Sequence, residues 1–170
     1  MDDREIVERQ LGRAPRAFNR VAVRCPYGAP AVTEQLPYDR DGRPFPTTYY
    51  LTCPHLVAAV ARLEAAGGVE RWSAAVQEDG ELAASLARAT EEQRHVRHDL
   101  AGESAGEDGR ESLDLGIGGS RRPTHLKCLH AHVAFALARP GYELGERILA
   151  EVAEPWPGER CCSESLRRRI

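Results

Sequence analysis

The chain has 170 residues, 42% of them hydrophobic, which is enough for one ordinary core and too little for two. Its 23 Lys and Arg against 26 Asp and Glu leave a formal charge of −3, which excludes broad nonspecific binding to nucleic acid. The opening MDDREIVERQLG lacks the apolar centre of a signal peptide and no membrane-length apolar run follows, so a cytoplasmic protein with reduced thiols is expected.

Residues 3–12 have the charge and apolar spacing of a short helix, with Ile6, Val7 and Leu11 on one face and Gly12 and Pro15 ending it. Phe18, Val21 and Val23 predict a first strand. The turn Pro26-Tyr27-Gly28 leads into a second over 31–36, making a hairpin. Residues 38–44 are rich in turn formers, and the β-branched and aromatic run 47–52 predicts a third strand. Thr52 or Cys53 caps the next helix, with Pro54 at its first position, Leu56, Val57, Val60 and Leu63 as its apolar stripe, and Gly67-Gly68 as its stop.

Helices are predicted at about 69–78 and 80–100. The glycine-, serine- and charge-rich stretch 101–122 reads as a mobile loop. Thr124 is the expected N-cap of a helix running to about 139, stopped by Pro140-Gly141, and a last helix covers 142–153. The expectation is one α+β domain over 1–154, a small antiparallel sheet near the N-terminus packed against a mostly helical remainder, with an irregular tail at 155–170.

Three cysteines in tight local contexts carry the chemistry: Cys25 in RCPYGAP, Cys53 in YLTCPHL and Cys128 in KCLHAH. No C-x-x-C pair occurs, so any shared site must be assembled by the fold. Cys53 at a helix start would feel the positive end of the helix dipole, which lowers a thiol pKa, and Cys128 gains similarly. On a continuous helix Cys128 and His132 share a side while His130 points elsewhere, as a hydrogen-bonded core histidine would. Cys25, Cys53, Cys128 and His132 therefore form a candidate Cys₃His zinc site of structural type. Cys161 or Cys162 in place of His132 gives four thiolates, which suit zinc or an iron–sulfur cluster.

Gly116, Gly118 and Gly119, followed by Arg121 and Arg122, form a second candidate site. Glycines let backbone N–H groups approach an anion and the arginines add charge, so a small anionic ligand is the expected occupant. The segment is neither a Walker A loop nor a GxGxxG fingerprint. Gly102-Glu103-Ser104-Ala105-Gly106 matches a nucleophile elbow in letters alone, since no buried strand precedes the serine. His95 and His98 sit among arginines on what reads as a solvated face.

QLGRAPR at 10–16, RCPYGAPAV at 24–32, PFPTTYYLTCP at 44–54, GIGG at 116–119 and KCLHAH at 127–132 together resemble the DUF501 family of bacterial proteins. That resemblance implies no reaction, cofactor or catalytic residue. Three functional classes follow from the chemistry: a protein with a structural metal, an enzyme using a thiol or open metal position beside the glycine-arginine loop, and a metal-free interaction module. Protein partners have no sequence signal.

Overall fold

A computed structural model describes residues 1–164. Helix α1 (Asp3–Leu11) starts from a capping box, in which the Asp2 carboxylate accepts from the Glu5 N–H and the Glu5 carboxylate accepts from the Asp2 N–H. Strands β1 (Phe18–Arg24), β2 (Pro30–Gln35) and β3 (Tyr49–Leu51) form an antiparallel sheet in the order β1-β2-β3. Phe18 faces Gln35 and Val32 faces Leu51. Every residue of central β2 is buried, Glu34 included, and Arg20 on β1 reaches that carboxylate at 2.7 Å.

The helical remainder comprises α2 (Pro54–Ala65), α3 (Gly68–Glu78), α4 (Gly80–Ala101), α5 (Leu129–Ala138) and α6 (Glu143–Ala150). The fold is α+β, as expected. Helix α5 is the centre of the molecule: seven of its ten residues are buried, on all sides. Phe135 meets Tyr49 of β3 edge-on at 5.5 Å and Tyr142 at 5.4 Å. Gly145 lets α6 press close, because a Cβ there would stand 2.6 Å from the His132 carbonyl oxygen. Among the described residues no helix is long and apolar enough to cross a membrane.

Two sequence expectations need correction. Helix α5 begins at Leu129, five residues after Thr124, because residues 120–127 are held in turns. The Ser120 hydroxyl donates to the His125 carbonyl, the Leu126 N–H donates to the Ser73 hydroxyl, and Cys128 is an extended N-cap residue. His125 therefore lies outside the helix. Residues 101–122 are also more built than their composition predicts, with 3-10 turns at Glu111–Asp114 and Ile117–Gly119. The Asp108 carboxylate accepts from the Arg110 and Ser112 N–H groups, and Arg110 donates to the Gly102 and Ser104 carbonyls.

Candidate functional site

Cys25 and Cys53 lie on either side of the start of β2. The Cys25 N–H donates to the Ala29 carbonyl across the hairpin, and the Cys53 N–H donates to the Ala31 carbonyl from the β3 side. Both side chains are buried. The segment after α6 crosses this end of the sheet as a strap: the Tyr27 hydroxyl donates to the Pro157 carbonyl, His55 bonds the Glu154 carbonyl at 2.6 Å, and Gln10 donates to the Ser163 hydroxyl. The strap brings one thiol to each buried thiol. Cys161 Sγ stands 3.9 Å from Cys25 Sγ, and Cys162 Sγ stands 3.5 Å from Cys53 Sγ.

Burial dominates the thiol chemistry. It pushes Cys53 up to about 12, with Cys162 adding to the rise, while N–H groups of Leu56 and His55 oppose it. Cys128 is raised by burial as well. The dipole argument for acidic thiols at these helix starts is thus overridden by desolvation. As the side chains stand, no group of three or more His, Cys, Asp or Glu among the described residues is placed to hold a metal ion.

Cys128 and His132 stand outside the two thiol pairs. Cys128 lines a separate cleft of about 550 Å³ with Tyr49, Val57 and His130. His130 has both ring nitrogens engaged, Nδ1 with Glu64 at 3.0 Å and Nε2 with the Val57 carbonyl at 3.2 Å, so it offers the thiol no free base. His132 is 2% exposed, and its Nδ1 meets the Tyr142 hydroxyl at 2.7 Å. Burial pushes this imidazole down to about 3, so it is neutral.

The glycine-arginine segment forms one wall of another cleft, of about 420 Å³. Gly116, Arg121 and Arg122 line it, Arg94 of α4 faces them, and His132 reaches it from α5. Gly118 and Gly119 take positive φ values of 69° and 79°, turning the chain so that Gly119 packs against Pro46 and Gly118 against Cys128. Their task here is close packing behind the cleft. Arg94 and His132 carried no local signal of this role: Arg94 lies on the helix before the segment, and His132 reads in the sequence as a partner of Cys128.

A family model described as a protein of unknown function, DUF501, matches residues 21–150. The chain belongs to the DUF501 family. No curated protein and no solved structure matches it. The DUF501 match takes in Cys25, Cys53, Cys128, His132 and the whole glycine-arginine segment, and it stops before the strap thiols Cys161 and Cys162.

Proposed function

We propose that this DUF501 protein is a cytoplasmic zinc protein in which Cys25, Cys53, Cys161 and Cys162 hold the ion and fasten the strap to the sheet. The pairing of thiols carries this reading. Two sulfurs bound to one tetrahedral zinc at about 2.3 Å each stand about 3.8 Å apart, and the two pairs are at 3.9 and 3.5 Å. Adjacent residues supply the strap thiols, and the reading requires the two pairs to close on one point, since no three of these side chains share an ion-binding position as they stand. Zinc would displace a proton from each thiol, and the N–H groups of Leu56 and His55 on Cys53 and of Ser163 on Cys161 support the thiolates. Four protein sulfurs leave no open position, so the role is structural.

The two-and-two arrangement also suits a pair of disulfides, and one experiment separates the readings. Protein purified without a metal-affinity step is measured for zinc, iron and intact mass under non-reducing conditions. About one zinc per chain, lost in Cys161→Ser and Cys162→Ser and kept in Cys128→Ser and His132→Gln, is the expected result. Iron with sulfide would replace zinc by a cluster. A metal-free chain lighter by four hydrogens would establish disulfides and overturn the metal site.

A further inference from the structure

The cleft between α4 and the glycine-arginine segment has an apolar floor and a cationic rim. Leu86 and Ile117 supply the floor with His132. Tyr142 is buried and its hydroxyl meets no other hydrogen-bond partner among the described residues, so its proton is assigned to the bond with His132 Nδ1. With that assignment the ring proton sits on Nε2. Nε2 is buried without any hydrogen-bond partner, in a residue that lines the cleft. An unpartnered buried donor costs about 1–3 kcal/mol, so an acceptor placed there is favoured.

The rim carries Arg94, Arg121 and Arg122 against Glu111 and Asp114. Asp114 is met by His98 at 2.8 Å, and Glu111 by Arg121 at 3.0 Å. The Arg121–Glu111 pair is about 70% exposed on both sides, and such a pair is worth about 0–1 kcal/mol, so a stronger anion can take the guanidinium over. Arg122 makes no side-chain hydrogen bond or ion pair among the described residues. Two neighbouring guanidinium groups match a dianionic phosphate better than a single carboxylate.

We infer that this cleft binds an organic phosphate of mononucleotide size, its heterocyclic body on Leu86 and Ile117 with an edge acceptor on His132 Nε2, and its phosphate at Arg121 and Arg122. The cleft volume falls within the range of small-molecule sites. The site is separate from the thiols, so it stands or falls independently of zinc.

The test uses the full chain, ¹⁵N-labelled, with imidazole resonances assigned through His132→Gln. The probes are the adenosine, guanosine, cytidine and uridine monophosphates, the four parent nucleosides, and inorganic phosphate. At least one nucleotide is expected to shift the His132 Nε2 signal saturably and more tightly than its nucleoside or phosphate alone. Arg121→Ala with Arg122→Ala, both exposed and outside the core, should weaken that binding by about tenfold or more. No shift with any nucleotide overturns the inference. So does equal affinity in the double arginine variant, or inorganic phosphate alone binding as tightly as the nucleotide.

Discussion

Arg97 is fully buried on α4, and no carboxylate pairs with it among the described residues. Its guanidinium donates to the Phe45 carbonyl at 3.0 Å and the Ser112 carbonyl at 3.1 Å, tying the approach to β3 and a 3-10 turn to one helix. Burial lowers its pKa, yet the planar fork still serves two separate carbonyls, with the Thr48 hydroxyl a third, longer contact at 3.5 Å. Arg97→Ala should cost about 3 kcal/mol or more, because both carbonyls lose their donor and a cavity opens. Arg97→Met should cost less, and Arg97→Lys should not restore the wild-type value; urea unfolding checks all three. His132 gives a pH prediction of definite sign. Its pKa falls from 6.5 in the unfolded chain to about 3 in the fold, so its contribution is complete above pH 6.5. Below that the unfolded chain takes the proton first, and stability drops by about 1.4 kcal/mol per pH unit toward pH 3. Melting curves between pH 7 and 4.5 should show a shallower acid loss in His132→Gln than in wild type.

At the scale of the element, α5 takes its N-terminal cap from another helix. Glu64 of α2 accepts from the Leu129 N–H at 2.6 Å and also holds His130. Glu64→Ala should lower stability by about 1–2 kcal/mol, the usual cost of a lost cap. Glu64→Gln, which keeps an acceptor oxygen, should recover part of the loss in thermal melts. This cap explains why the start of α5 was hidden in the sequence while the strands and the other α-helices were legible. Cys53-Pro54 and Gly67-Gly68 punctuate α2 and α3 locally, and the turn at 26–28 with β-branched and aromatic runs marked the strands. The residue that starts α5 lies 65 positions away, and Thr124, the local choice, is held in a turn. The same limit applies to the thiols. Their local contexts singled out Cys25 and Cys53, but the nearest sulfurs are 136 and 109 residues further along the chain. The glycine-arginine segment was visible as composition, whereas the histidine beneath it is brought there by packing.

For the molecule as a whole, the strap is the element that closes one end of the sheet. A chain ending at residue 153 loses the Glu154 and Pro157 carbonyl contacts, the partly buried Trp156, and both strap thiols. It should melt lower, by about 2–4 °C for each kcal/mol lost. Measured in the presence of a chelator, Cys25 and Cys53 should react with a maleimide markedly faster in the shortened chain than in the full one. Equal rates would show that the sheet alone shields them. No such difference is expected at Cys128, which faces another cleft.

The distance between Cys53 and its partner sets a clock during synthesis. At about 5–20 residues per second, the 109 residues that separate Cys53 from Cys162 take roughly 5–20 seconds to translate. During that interval the sheet and α2 can assemble while Cys25 and Cys53 remain uncovered. The nascent chain therefore passes through a stage in which Cys25 and Cys53 are open to a cellular oxidant, a metal carrier or a chaperone before the strap arrives.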